Sequence, residues 1–164
     1  EDTPAYATYP GKDLQMDYEE GLYIGYRWYD KEQIGPLFPF GHGLSYTSFD
    51  YSNLRAIPPK GNASVAAFEF EISNTGDVAG KEVIQGYVNV PDSKIDRPRK
   101  ELKKFTKIYL EPGETQKVKF ELSERELSFW NVDLHAWQVE PAEYIFEIGA
   151  SANDIRGSAS VWLG

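Results

Sequence analysis

The chain is 164 residues long, 41% hydrophobic and 26% charged, a globular balance that suits one domain with an appendage. Its formal net charge of −9 disfavours general binding to a polyanion such as DNA, which trades counterions for Lys and Arg. No stretch approaches the ~18 apolar residues of a membrane-spanning helix, and the lack of cysteine excludes disulfides, thiolate nucleophiles and the common structural zinc sites.

Residues 1–45 and 46–164 read differently. The N-terminal arm carries Tyr6, Tyr9, Tyr18, Tyr23, Tyr26, Trp28, Tyr29, Phe38 and Phe40 among closely spaced Pro and Gly, with Leu22–Tyr29 as its only regular candidate. So many rings on so little regular structure cannot bury themselves. The arm is expected to pack on something else, either the chain's own remaining residues or a further domain. The start, Glu1-Asp2-Thr3-Pro4, is neither an initiator Met nor a signal peptide, so the chain is expected to begin partway through a larger protein.

From Phe49 onward apolar and polar residues alternate at period two, the mark of half-buried strands. Phe49, Tyr51 and Leu54 open the series. Ala66, Phe68, Phe70 and Ile72 then face one way, with Val65, Glu69 and Glu71 opposed. Asn74-Thr75-Gly76-Asp77 predicts a turn of residues that tolerate positive φ. Glu82–Val90 is apolar on both faces, as in mid-sheet, and Leu102–Leu110 predicts a strand closed by the turn Glu111-Pro112-Gly113-Glu114. Val118, Phe120 and Leu122 mark the cleanest strand. Ser123-Glu124-Arg125-Glu126 has the form of a capping box, and Trp137–Val139, Tyr144–Ile148 and Ala159–Leu163 complete seven or eight short strands. Two stacked antiparallel sheets satisfy this pattern, and without a Cys…Trp…Cys framework the expected form is a fibronectin-type-III-like sandwich, all-β in class.

Chemistry-bearing constellations are sparse. His42 and His135 each lack a second histidine at metal-ligand spacing, so no metal site and no cofactor are expected. Gly41-His42-Gly43-Leu44-Ser45 is not a serine-nucleophile elbow, because Thr47 stands where that motif needs glycine. Asp13, Asp17, Glu19 and Glu20 read as a solvated face, with Glu20–Arg27 as an expected ion pair. The run Lys94, Arg97, Arg99, Lys100, Lys103, Lys104 and Lys107 fits the guarding of an edge strand, with attraction of an anionic polymer as its alternative. Trp130, Trp137 and Trp162 are core or interdomain residues, or else a stacking surface for sugars. Asn62-Ala63-Ser64 matches the glycosylation acceptor, which makes Asn62 a modification candidate and points to a secreted source.

Three segments together resemble the family 3 glycoside hydrolases. These are Tyr18–Asp30, with its Glu20-Gly21 and Gly25-Tyr26-Arg27 landmarks; Pro36–Thr47, with Gly41-His42-Gly43-Leu44-Ser45-Tyr46-Thr47; and the sandwich landmarks Asn74–Gly80, Arg97-Pro98, Pro112-Gly113-Glu114 and Leu127-Ser128-Phe129-Trp130. The Gly-His-Gly-Leu-Ser-Tyr-Thr form is most similar to the β-glucosidases of that family. The resemblance implies a parent with a barrel domain, then an α/β sandwich, then a fibronectin-type-III-like domain. Residues 1–45 would be the tail of the second domain plus a linker, and 46–164 the third domain. The parent would hydrolyse terminal β-D-glucosides with retention, using two carboxyl groups about 5–5.5 Å apart. No catalytic residue carries over, since no Ser-Asp-Trp occurs and the acid/base Glu belongs upstream.

The resemblance further implies a non-catalytic role: docking on the catalytic domains and stabilising them. The docking residues would be Tyr18, Glu20, Gly21, Gly25, Tyr26 and Arg27, followed by Leu37, Phe38, Pro39, Phe40, Gly41, His42, Gly43, Leu44, Ser45 and Tyr46. Its partners would be the barrel and α/β sandwich domains, with an oligosaccharide or glucoside substrate reached through the parent, and no nucleic acid or membrane. A secreted or periplasmic location is expected. The alternatives are a module anchoring the parent to a carbohydrate or anionic polymer, and a parent that is a β-xylosidase or arabinofuranosidase.

Overall fold

The computed structural model describes residues 3–60 and 64–164, so the Asn62 sequon lies outside the described residues. In chain order the elements are α1 (Tyr26–Glu32), β1 (Phe49–Ile57), β2 (Ala66–Asn74), β3 (Gly80–Asn89), β4 (Glu101–Leu110), β5 (Thr115–Leu122), α2 (Glu124–Leu127), β6 (Phe129–Asn131), β7 (Ala136–Gln138), β8 (Ala142–Ser151) and β9 (Asp154–Leu163). Three strands form one sheet in the order β1-β2-β5, and four form another in the order β4-β3-β8-β9. The short pair β6-β7 stands as a separate ribbon, and every pairing is antiparallel. The expected sandwich is present.

Period-two alternation decides which residues meet between the sheets. Phe68 and Phe70 on β2 and Val118, Phe120 and Leu122 on β5 face Ile84 and Val88 on β3 and Tyr144, Phe146 and Ile148 on β8. Phe68 stacks on Phe146 with centroids 4.3 Å apart, and Phe120 meets Phe146 edge-on at 6.0 Å. Each such buried ring contributes about 1.5–3 kcal/mol. Gly86 on β3 makes room for them, because a Cβ there would lie 2.6 Å from the Phe146 ring. Glu82–Val90 was expected in mid-sheet, and β3 does lie between β4 and β8.

The capping box forms as expected: the Glu126 N–H donates to Ser123 Oγ at 3.4 Å, and Ser123 N–H donates back to Glu126 Oε2 at 2.8 Å. The expected Asn74–Asp77 turn is present between β2 and β3, made without positive φ at any of its residues. It is held instead by the buried Asn74 side chain, whose Oδ1 accepts from the Thr47 hydroxyl (2.6 Å) and Gly76 N–H (3.1 Å). Its Nδ2 donates to the Val78 carbonyl (2.8 Å) and the Leu110 carbonyl (3.1 Å). The strand β6 is additional to the expected set, because three residues are too few to show a period.

Candidate docking surface of the N-terminal arm

The arm divides in two. Its middle is clamped to the chain's own four-stranded sheet, and the rest stands free of it. The short helix α1 begins after Gly25, whose φ of +55° suits glycine, and ends on Gln33 in the left-handed region. This helix aims a row of side chains at β3 and β4.

The Tyr26 hydroxyl accepts the Leu102 N–H at 2.9 Å, while its ring lies 5.2 Å from Phe40 and edge-on to Tyr87 at 5.8 Å. Tyr87 is fully buried and donates to Gln85 Oε1 at 2.6 Å. Burial pushes its phenol upward, with the neighbouring Tyr26 and Asp30 adding to the effect. Gln85 in turn donates to the Ala150 carbonyl (2.8 Å) and the Gly41 carbonyl (3.3 Å). Gly41 has φ +82°, and a Cβ on it would fall 2.3 Å from the Gln85 amide, so glycine is required twice over. The Ala152 N–H donates to the Phe40 carbonyl at 2.9 Å and fixes the second half of the crossing.

Charge supplies the remaining clamps. The Lys100 ammonium lies 3.2 Å from Asp30 Oδ1 and 3.0 Å from Oδ2, with side chains only 7% and 11% exposed. Arg27 pairs with Glu101 at 3.3 Å, and the Tyr23 hydroxyl donates to Asp96. The expected Glu20–Arg27 pair is therefore corrected: α1 carries Arg27 onto the first residue of β4. Glu20 stays half-buried before the turn at Gly21 (φ +56°), its carbonyl accepting the Tyr23 N–H at 2.9 Å.

The other docking candidates face away. Tyr18 is 81% exposed, Leu37 88%, Phe38 70%, Leu44 95% and Tyr46 101%. Among them, Phe38 packs only loosely with His42 at 5.6 Å, and the His42 N–H donates to the Pro39 carbonyl at 3.0 Å. Gly43 and Ser45 are exposed, and Ser45 Oγ accepts the Thr47 N–H at 3.3 Å. The structure thus brings Tyr26, Arg27, Phe40 and Gly41 together and leaves Tyr18, Leu37, Phe38, Leu44 and Tyr46 as an uncovered apolar rim.

The basic run lies on and before the edge strand β4, but most of its members are paired. Arg97 pairs with Glu140 (3.5 Å), Lys103 with Glu101 (3.3 Å) and Lys104 with Glu126 (2.5 Å). Burial, the largest influence on Glu140, favours its neutral form. The Lys94 N–H, the Ser93 hydroxyl and the Arg97 guanidinium outweigh it and hold the carboxyl below the usual range. The three tryptophans form no single row. Trp130 and Trp137 meet at 5.4 Å and 60° on the β6-β7 ribbon, and Trp162 sits on the outer strand β9. No group of three His, Cys, Asp or Glu among the described residues could hold a metal, and no helix there is long and apolar enough to cross a membrane.

Comparison with known proteins fits this geometry. Residues 82–152 match the fibronectin type III-like domain. The solved β-glucosidase of Bifidobacterium adolescentis, from glycoside hydrolase family 3, superposes with a TM-score of 0.90 at 37% identity over 99% of this chain and 24% of its own. The chain matches the fibronectin type III-like segment of family 3 glycoside hydrolases. Thermostable β-glucosidase B of Acetivibrio thermocellus is 44% identical over 96% of the chain and 21% of its own length. β-Glucosidase 3B of Thermotoga neapolitana, solved with glucose, gives a TM-score of 0.88 at 38% identity over 99% of the chain and 23% of its own. An exo-α-(1→6)-L-arabinopyranosidase of Bifidobacterium breve is 37% identical over 99% of the chain. The chain spans about a fifth of the length of these curated relatives.

Tyr23, Asp30, Gln85, Tyr87, Lys100 and Glu101 complete the clamp, and sequence reasoning did not mark them as partners. A lysine in a basic run carries no sign that it will be buried. The one available signal was Asp30 at the close of the Tyr18–Asp30 segment.

Proposed function

We propose that this chain is the non-catalytic module of a larger retaining β-glucosidase, which it stabilises by docking through its arm. The observation that carries the reading is the uncovered rim: Tyr18, Leu37, Phe38, Leu44 and Tyr46 are all at least 70% exposed beside a middle segment firmly clamped to the sandwich. So many exposed large apolar side chains on one arm of a folded domain favour an interaction surface. In this reading residues 1–45 are the tail and linker of an α/β domain, residues 46–164 the terminal sandwich, and the nucleophile and acid/base carboxyls come from the parent's other domains. The names of the relatives support a glucoside-cleaving parent. The arabinopyranosidase relatives supply a specific reason to keep an arabinoside-cleaving parent as the second reading. A location outside the cytoplasm belongs to the same proposal and is checked by fractionation of the native source.

The chain alone should release no nitrophenol from an aryl β-glucoside, whereas the parent should. Leu37→Ser with Phe38→Ser should leave the isolated chain's melting temperature unchanged and lower that of the parent by several degrees. Equal stability of the substituted and unsubstituted parents would refute the docking role. Turnover by the isolated chain would refute the non-catalytic one.

A further inference from the structure

Beside the edge strand β4 lies a groove of about 630 Å³, within the range of small-ligand sites. One wall is the β6-β7 ribbon, where Trp130 and Trp137 are directly opposed partners. Both rings are about half exposed, but Arg125 covers one face of Trp137, its guanidinium carbon 3.0 Å from the ring centroid, so Trp130 is the indole in the groove with no cation stacked on it. Leu22, Pro98 and Leu102 form apolar surface across from it.

The charges around this groove balance. Asp96, Glu101 and Glu126 stand against Arg97, Lys103 and Arg125, three of each sign, in a chain of net charge −9. An ion of either sign gains no net field there. A purely apolar side chain would strip water from six charged groups and return no hydrogen bonds. A neutral polyhydroxylated ring meets both demands. Its C–H face covers the indole of Trp130, and its hydroxyls donate to the carboxylates and accept from the cations.

We propose that this groove binds a single neutral pyranose ring of a glucoside or short oligosaccharide. The non-coplanar tryptophans and the limited volume make it a one-ring subsite rather than a flat anchor for a polysaccharide chain. It stands on its own lining and does not depend on whether the parent cleaves glucosides.

The test titrates the 164-residue chain with D-glucose, methyl β-D-glucoside and cellobiose, read by indole fluorescence and saturation-transfer NMR. Glycerol and sodium glucuronate serve as controls. A saturable signal from the neutral sugars is expected, weakened about tenfold by Trp130→Ala, the usual consequence of truncating a central aromatic anchor. Trp130→Phe should retain an intermediate affinity, which keeps the test open if the alanine variant folds poorly. Trp162→Ala should bind as the parent chain does. The proposal falls if no neutral sugar saturates the signal, or if glycerol reproduces it. It also falls if glucuronate binds more tightly than glucose, or if Trp162→Ala loses affinity as much as Trp130→Ala.

Discussion

Removing the Asp30 carboxylate should loosen the arm from the sandwich. The Lys100 side chain is 7% exposed, and its ammonium is 3.0 Å from Asp30 Oδ2. At an effective dielectric constant near 20, charges at that distance attract by about 5 kcal/mol, which offsets the cost of taking both out of water. Asp30→Ala deletes the attraction and leaves the desolvated ammonium behind. Only the Tyr87 ring, 5.9 Å away, remains to compensate it. Breaking a buried pair in this way costs about 3–5 kcal/mol. The expected loss is near the lower figure, because α1 is short and water can enter as it lifts. Urea unfolding at pH 7, extrapolated linearly and followed by far-UV circular dichroism and tryptophan fluorescence, reads it directly. Adding Lys100→Met removes the stranded charge, so the double variant should recover to within about 1 kcal/mol of the original chain. If Asp30→Ala unfolds within about 0.5 kcal/mol of the original, or if Lys100→Met restores nothing, the buried pair does not hold the arm.

Three further outcomes follow from the same geometry. Asn74→Ala should cost about 2–4 kcal/mol in urea unfolding, since four hydrogen bonds vanish, each worth about 0.5–1.5 kcal/mol net, and the Leu110 carbonyl is stranded in the core. Gly41→Ala should cost about 1–3 kcal/mol and raise amide exchange at Ala152, because φ +82° is strained for alanine and its Cβ would strike Gln85. Glu140 and Glu126 are both held below the ordinary carboxylate range in the fold, so they bind protons less readily there than in the unfolded chain. Their contribution is therefore complete above the unfolded value of about 4.3 and declines as pH falls through the folded values. The urea midpoint should be level from pH 7 to about 5 and drop below that, and Glu140→Gln should flatten the drop.

The sandwich was legible in the sequence because one physical rule governs it. A strand buried on one face repeats every two residues, and Phe68, Phe70, Phe120 and Phe146 announce that face without reference to their partners. Local hydrogen bonding was legible for the same reason: the Ser123–Glu126 box closes over three residues, and both halves are visible at once. The ribbon strand β6 was not, having too few residues to show an alternation, and the Asn74–Asp77 turn was legible as a turn but not in what holds it, since one acceptor of the Asn74 side chain, the Leu110 carbonyl, comes from β4. The family motifs reached further than pattern did, carrying the module's identity on Tyr18–Asp30 and Pro36–Thr47.

The arm shows where such reading stops. Its excess of rings required a cover, but composition cannot say which ring goes to which body. The division is made by side-chain chemistry at single positions. Tyr26 has a hydroxyl that can take the free Leu102 N–H of an edge strand, Asp30 has a carboxylate to neutralise Lys100, and Gly41 has no Cβ to collide with Gln85. Tyr18, Leu37, Phe38, Leu44 and Tyr46 have no such complement on β3 or β4 among the described residues, and they stay exposed. Polar complementarity thus fixes the middle of the arm against the sandwich, and that rigid seat presents the greasy remainder outward in one orientation. A partner of the kind proposed would then meet an ordered surface and would not need to immobilise a flexible tail, which would lower the entropic cost of docking.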